Sequence, residues 1–494
     1  MQSATRSDGK IGLSILQESP LDQTGWKGCE PSREAKKESW VKSRYNVRAT
    51  TDDGRLILWN TLSRAMSVFK PEQVAEVTAL LREKALEAGQ EGLAGYLFER
   101  GFLVREGTNE YRQFLLKFGQ QHYRHDLLEL ILMSSEDCNF RCKYCYEEFA
   151  RGTMLPEVRQ GIKRLVERRI DHLRGLKVSW FGGEPLYGWP AIAELGPFFK
   201  EITDQNSIEF GCHMTTNGYL LTPDVVDNLF AWNIRHFQIT LDGGPDTHDC
   251  SRPTRDGQGT FWTIFENLRL MSQRTDDFTI ALRVNFDQTN HDRIEELLDL
   301  IQKEMKSDSR FHFTLHPVGQ WGSANDDKLQ VCGADEQKEV VRQLKEAAYE
   351  RGIHFATLRD INRFGSQVCY AARPYNFLIG ASGKVMKCTI ALDMHAENVV
   401  GEIKENGDLI LDDDRMALWT EPAFERDTQC QKCVVLPNCQ GISCPLPRVF
   451  DGERACVSTR TGAKKELLEA LAYPKQEGRV RRLHLDGRAP VINR

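Results

Sequence analysis

Between residues 127 and about 320 the chain alternates two hydrophobic patterns. Short apolar runs at 127–133, 176–181, 208–215, 236–241, 279–285 and 311–317 read as strands. Between them lie stretches with apolar residues every three or four positions, such as Val158–Leu173 and Arg293–Lys303, which read as helices. Strand followed by helix, repeated along the chain, predicts parallel βαβ units and an α/β fold. Upstream, residues 45–125 predict a small separate domain, with strands at 45–49 and 55–59, helices around 71–86 and 91–100, and a short strand at 101–104. Residues 1–43 are polar, without a period, and predict a disordered or loosely attached segment. Residues 331–364 read as a helical bridge and 461–494 as a C-terminal helix and tail.

Where the first barrel-region strand ends, Cys138, Cys142 and Cys145 fall within eight residues. That spacing gathers three thiols on one tight loop at the carboxyl end of a strand, the end where β/α folds place their chemistry. Three is one short of the four ligands of a [4Fe–4S] cube, which leaves one iron free for another ligand. Zinc sites pair Cys-x2-Cys hooks from separate parts of a chain. The bland alternative is a loop of inert surface cysteines. With Tyr144 before Cys145, the loop resembles the Cys-x3-Cys-x-aromatic-Cys signature of the radical S-adenosylmethionine (SAM) enzymes. The resemblance implies a partial (β/α)6 barrel over 127–330, open at the side where a bulky peptide enters. It also implies a cluster whose open iron binds the amino and carboxylate groups of SAM. One electron then cleaves SAM to a 5′-deoxyadenosyl radical.

Other strand ends extend the resemblance. The second strand runs into Gly182-Gly183-Glu184-Pro185; alone, a Gly-Gly pair is a plain turn, but glycines also admit close backbone approach. The run resembles the family's Gly-Gly-Glu-Pro motif, whose backbone binds the SAM amino group. Thr216-Asn217-Gly218 and Thr240-Leu241-Asp242-Gly243 end the third and fourth strands with hydroxyl and amide groups suited to a ribose. Thr240 stands where Ser is commoner in the family, keeping the hydroxyl. Arg252 follows His248 and Asp249; it is either a carboxylate clamp for SAM or an ordinary surface arginine. The resemblance therefore assigns SAM binding to Tyr144, Gly182, Gly183, Glu184, Pro185, Thr216, Asn217, Thr240, Asp242 and Arg252. Arg283, Asn285, His316 and Gln320 are weaker cavity-facing candidates, and no catalytic acid or base is assigned.

Composition narrows the class. The net charge of −6 argues against a general nucleic-acid binder. No apolar run predicts a membrane helix and no secretion signal is seen, so a cytoplasmic protein is expected. Fourteen cysteines in such a compartment favour metal ligands over disulfides. A second group, Cys369, Cys388, Cys430-x2-Cys433-x5-Cys439-x4-Cys444 and Cys456, resembles the SPASM domain over about 365–460, which holds two auxiliary [4Fe–4S] clusters. The resemblance gives Cys430, Cys433, Cys439 and Cys456 to the outer cluster and Cys369, Cys388 and Cys444 to the inner one. A fourth inner ligand is missing from 359–368, leaving an open iron for a substrate thiolate or for Cys332. The step from Cys439 to Cys444 is one residue wider than usual. The rival is a zinc knuckle without its histidines. Cys29, Cys212, Cys250 and Cys332 have no ligand spacing.

Together these features imply three [4Fe–4S] clusters, SAM, and a flavodoxin- or ferredoxin-type reductant. The 45–125 domain resembles the winged-helix unit by which peptide-modifying relatives capture a precursor peptide, through strand addition; the alternative is a packing adaptor. The expected reaction is hydrogen abstraction from a ribosomally made peptide and an oxidative crosslink, thioether, C–C or C–O, with an auxiliary cluster taking the electron. Two alternatives stand beside it: sulfatase-maturase-like oxidation of Ser or Cys to formylglycine, and a non-catalytic iron–sulfur carrier or scaffold.

Overall fold

The computed structural model describes residues 39–87, 92–149, 152–305, 308–322, 325–353, 364–453, 456, 462–464 and 467–468. The N-terminal unit runs β1 (Ser39–Lys42), β2 (Asn46–Thr50), β3 (Leu56–Asn60), β4 (Met66–Phe69), α1 (Pro71–Leu80), β5 (Leu86–Glu87), α2 (Leu93–Glu99) and β6 (Leu103–Arg105). Here the structure corrects the expectation of a loose segment reaching residue 43. β1 is the middle strand of a three-stranded antiparallel sheet, between β5 and β6. Its Trp40 is buried and stacks on Phe98 with centroids 4.2 Å apart. Nothing near β1 in sequence pairs with it, so no local period announces it. The helix expected over 71–86 ends at Leu80, because residues 86–87 are drawn into that sheet.

Helix α3 (Glu110–His122) follows, its first turn capped by Asn109, whose side chain accepts from Arg112 N at 3.0 Å. Phe114 and Phe118 on α3 pack with Tyr45 and Leu62 against Phe364, Phe424, Leu436 and Ile442. The N-terminal unit is thus seated on the C-terminal cysteine-rich region; Thr61 Oγ1 donates to the Val434 carbonyl at 2.6 Å.

Then comes the α/β core: β7 (Leu127–Ser135), α4 (Pro156–Arg169), β8 (Gly175–Gly182), α5 (Trp189–Gln205), β9 (Glu209–Thr216), α6 (Pro223–Ala231), β10 (His236–Thr240), α7 (Pro245–Ser251), α8 (Phe261–Ser272), β11 (Thr279–Phe286), α9 (Ile294–Met305) and β12 (Phe311–Pro317). These six strands are parallel neighbours in chain order. Alternate residues, among them Leu130, Val178, Met214, Ile239, Leu282 and Phe313, are buried in the main core with the apolar faces of the helices. The intervening positions of β8 to β12 are mostly polar, for example Lys177, His213, Gln238, Arg283 and Thr314, whereas those of β7 include Ile131 and Met133, buried against Leu378, Met386 and Leu392.

After α10 (Ala334–Glu350) the chain returns to the sheet. β13 (Asn376–Ile379) pairs parallel with β7, and β14 (Lys384–Met386), β15 (Val399–Ile403) and β16 (Leu409–Leu411) continue antiparallel to make ten strands. The buried Glu129 of β7 fastens this junction: Arg373 Nη1 donates to both its oxygens at 2.7 and 2.8 Å, and Lys177 Nζ to Oε1 at 3.2 Å. Cys369 lies just before β13 and Cys388 just after β14, so the second cysteine region is joined edge-on to the first strand of the parallel sheet.

Candidate active site

The three-cysteine loop leaves β7 and is held by backbone bonds to residues 251–255. Arg141 N donates to Pro253 O, Lys143 N to Ser251 O and Arg255 N to Asn139 O, each at 2.9 Å. Asp137 opens the loop, accepting from Cys138 N at 2.8 Å and pairing with Arg255. Cys138 is buried, and burial pushes its thiol up to about 12. Cys142 and Cys145 line a cavity of about 420 Å³, which Asn325, Lys328 and Leu329 also line, a volume in the range of small-molecule sites.

The glycines of Gly182-Gly183 are required by the protein itself. A Cβ on Gly182, at φ +116°, would stand 2.2 Å from Ser135 O, and one on Gly183 would stand 2.6 Å from Asp137 O. Gly183 N and Glu184 N donate to those same two carbonyls at 3.1 and 3.0 Å. The motif therefore clamps the end of β8 against the start of the cysteine loop. Glu184 points into the protein, fully buried: it accepts from Thr216 Oγ1 (2.7 Å), Asn217 N (2.7 Å) and Leu186 N (3.0 Å), tying the end of β8 to the end of β9. Burial raises its pKa, and these bonds oppose the rise. Asn217 in turn donates to Asn139 Oδ1 at 2.8 Å, inside the cysteine loop. Pro185 starts a short 3-10 turn, and its carbonyl accepts from Ser134 Oγ at 2.9 Å.

Asp242 is the matching latch at the end of β10. Completely buried, it accepts from Asn285 N (2.9 Å), Asn285 Nδ2 (3.2 Å) and the Tyr144 hydroxyl. Asn285 Nδ2 also donates to Tyr144 at 2.9 Å, so the aromatic of the cysteine loop is fixed by two strands. His248 Nδ1 accepts from Asp242 N at 3.2 Å, and burial holds this imidazole well below its usual pKa. Asp249 caps α8, accepting from Thr260 N and Phe261 N at 2.7 and 2.8 Å.

Arg252 is 5% exposed, which removes the surface-arginine alternative. Burial would lower its pKa, yet the opposing charges of Tyr144, Cys142 and Asp242 hold it above its ordinary value. Its Nε is buried with no hydrogen-bond partner among the described residues. Thr240 is half-buried and lies beside Arg283 in the sheet register. Arg283 and His316 sit together on the polar face, whereas Gln320 turns outward to Asp326 O at 2.9 Å. The sequence reading did not single out Glu147, two residues after Cys145; it borders the cavity near Glu136 and Glu184, and burial, then those two charges, push its carboxyl up to about 8.

In the second region Cys369, Cys388 and Cys444 lie within electrostatic reach of one another, and Cys439 lies within reach of both Cys433 and Cys456. Cys332, one of the two alternatives for the open inner iron, is buried beside His291 and Glu336.

Three soft thiols on one loop, two of them lining the cavity, with the buried Arg252 guanidinium acting on Cys142 and Cys138, are a donor set that suits an anionic iron–sulfur cube. Residues 132–301 match the family model of the Radical SAM superfamily. The chain carries a radical SAM domain. Members of that superfamily bind SAM and a [4Fe–4S] cluster and are enzymes of radical chemistry. Among curated relatives, the radical SAM cyclopropyl synthase TigE of Paramaledivibacter caminithermalis is 24% identical over 221 residues, 40% of this chain and 45% of that protein. The chain thus spans less than half the length of that relative. The serine-type anaerobic sulfatase-maturating enzyme of Klebsiella aerogenes is 22% identical over 326 residues, 62% of this chain and 77% of that protein. Among solved structures, native anSMEcpe with bound AdoMet superposes with a TM-score of 0.52 at 17% identity, over 70% of this chain and 97% of that one. This last likeness is one of fold. No helix among the described residues is long and apolar enough to cross a membrane.

Proposed function

We propose that this chain is a radical SAM maturase that oxidatively crosslinks a ribosomally made precursor peptide, with a SPASM-type second region holding two auxiliary [4Fe–4S] clusters. The observation that carries the reading is the convergence of the cysteine loop, Gly182-Gly183, Thr216-Asn217, Asp242 and Arg252 at the carboxyl end of one parallel sheet, with a second cysteine region joined to the same sheet through β13. When bound, SAM and its cluster supply a carbon-centred radical that abstracts a substrate hydrogen. Cys138, Cys142 and Cys145 hold that cluster. The Gly183 and Glu184 N–H groups fix the turn by donating to Ser135 O and Asp137 O, and the backbone carbonyls of the Gly182-Gly183 turn would accept from the SAM amino group. Arg252 offers a buried cation to a carboxylate. Thr240 and Asn217 offer hydroxyl and amide groups to a ribose, while Tyr144, Glu184 and Asp242 fix the positions of the others.

Cys369, Cys388 and Cys444 would hold the inner auxiliary cluster and Cys430, Cys433, Cys439 and Cys456 the outer one, and the inner cluster would supply a sink for the electron lost by the substrate. The sheet of β1, β5 and β6 receives the precursor peptide by strand addition, as in a winged-helix recognition unit, and a flavodoxin or ferredoxin delivers electrons. A cytoplasmic setting accords with that chemistry.

The formylglycine reading has one observation in its favour. Glu147 supplies a buried carboxyl bordering the cavity, the residue type that this reaction needs as a base. Anaerobic, cluster-loaded enzyme with SAM, dithionite and a peptide encoded beside its gene separates the two. Rising 5′-deoxyadenosine with a peptide lighter by about two daltons and no aldehyde supports the crosslink. A trapped aldehyde supports formylglycine. Absence of 5′-deoxyadenosine under all conditions removes both.

A further inference from the structure

Away from the cysteine loop, His291, Cys332 and Glu336 each bring one ligand atom to within 4.8 Å of the others. Forty residues of sequence separate the histidine from the cysteine, and the fold brings them together at the carboxyl end of the sheet. His291 lies on a single turn just after β11, Cys332 ends the segment that follows β12, and Glu336 lies in the first turn of α10. Backbone joins the two segments, Gln288 N donating to Gln330 O at 2.9 Å.

The orientation of the donors is set by groups around them. Glu336 Oε2 accepts from Gly333 N at 3.0 Å and from Gln288 Nε2 at 3.3 Å, which turns Oε1 toward His291. His291 Nε2 and Glu336 Oε1 stand 3.7 Å apart. That is too long for a hydrogen bond, about 2.7–3.2 Å. It is close to the edge of about 3.4 Å between two ligands of a tetrahedral zinc ion with bonds near 2.0–2.2 Å. Cys332 is 3% exposed, while His291 and Glu336 are half-buried, so the fourth direction opens to solvent.

We propose that His291, Cys332 and Glu336 form a three-ligand zinc site. A nitrogen, sulfur and oxygen set suits zinc and excludes the hard ions magnesium and calcium, which take oxygen ligands. Gln288 and Gly333 are the supporting groups that aim the carboxylate. The site's place in the fold gives it a task. Asn325, Lys328 and Leu329 wall the cavity beside Cys142 and Cys145, and Cys332 follows three residues later. The ion clips that wall to the rim of the sheet, whatever molecule the cavity receives.

The test uses full-length enzyme, purified anaerobically with its iron–sulfur clusters in place and equilibrated with micromolar free zinc. Elemental analysis is expected to find about one zinc per chain, and zinc K-edge absorption one sulfur near 2.3 Å with nitrogen and oxygen near 2.0–2.2 Å. Cys332→Ser and His291→Ala weaken zinc binding by more than about tenfold at unchanged iron content. Gln288→Ala, which keeps all three ligands, weakens it by about tenfold. The proposal is overturned by a chain that retains no zinc, by a zinc shell with two or more sulfurs, or by equal zinc affinity in parent and Gln288→Ala.

Discussion

Replacing Glu184 by Gln tests whether the Gly-Gly-Glu-Pro glutamate acts as a latch. Three donors converge on the buried carboxylate: Thr216 Oγ1 and Leu186 N on Oε1, and Asn217 N on Oε2. A glutamine has one acceptor oxygen, so its amide –NH2 must face the N–H of Asn217 or that of Leu186. One buried backbone donor then loses its acceptor, at about 1–3 kcal/mol. Loss of charge assistance in the surviving bonds adds about 1 kcal/mol, for a total of about 2–4 kcal/mol. The strain falls on the neighbouring glycine carbonyls and, through Asn217 and Asn139, on the cysteine loop. SAM affinity of the cluster-loaded variant, measured by anaerobic equilibrium dialysis, should fall by about tenfold or more, equivalent to about 1.4 kcal/mol. Iron content should hold and the urea midpoint should drop. A variant with the parent's SAM affinity and urea midpoint would refute the latch.

Two further substitutions probe the frame. Gly183→Ala places a methyl group 2.6 Å from Asp137 O, so the cysteine loop must shift; cluster loading and SAM cleavage should both collapse, and full iron content would contradict the clamp. For Glu129, burial alone would raise the pKa, but Arg373 and Lys177 prevail and hold it at about 2, against 4.5 unperturbed. A lowered folded pKa stabilises above pH 4.5 and is lost as pH falls from 4.5 toward 2, so Glu129→Gln should cost about 3 kcal/mol at pH 7. Urea titrations should show the gap between parent and variant narrowing through that acid window, and a gap independent of pH would be the contrary result.

The six core strands were legible because each is a short apolar run set between amphipathic helices, and their observed bounds differ from the expected ones by two residues or fewer. Ser39–Lys42 escaped notice because its partners lie more than forty residues away, and α3 because its apolar stripe of Phe114 and Phe118 serves the cysteine-rich region instead of the local sheet. The docking of β13 beside β7 is equally non-local. Motif letters located Glu184 and Asp242 without revealing their work: both carboxylates are consumed by buried donors, which only the three-dimensional neighbours Thr216, Asn217, Tyr144 and Asn285 disclose. Cys332 seemed a spare thiol because its companions His291 and Glu336 share no spacing pattern with it.

The most direct test of the central claim is iron and 5′-deoxyadenosine in the anaerobically reconstituted parent and in a variant with Cys138, Cys142 and Cys145 all changed to Ala. The account predicts about twelve irons per chain in the parent and about eight in the variant, with nucleoside release abolished. Four irons in the parent and none in the variant would contradict the auxiliary clusters, and undiminished 5′-deoxyadenosine from the variant would contradict the assignment of the loop itself.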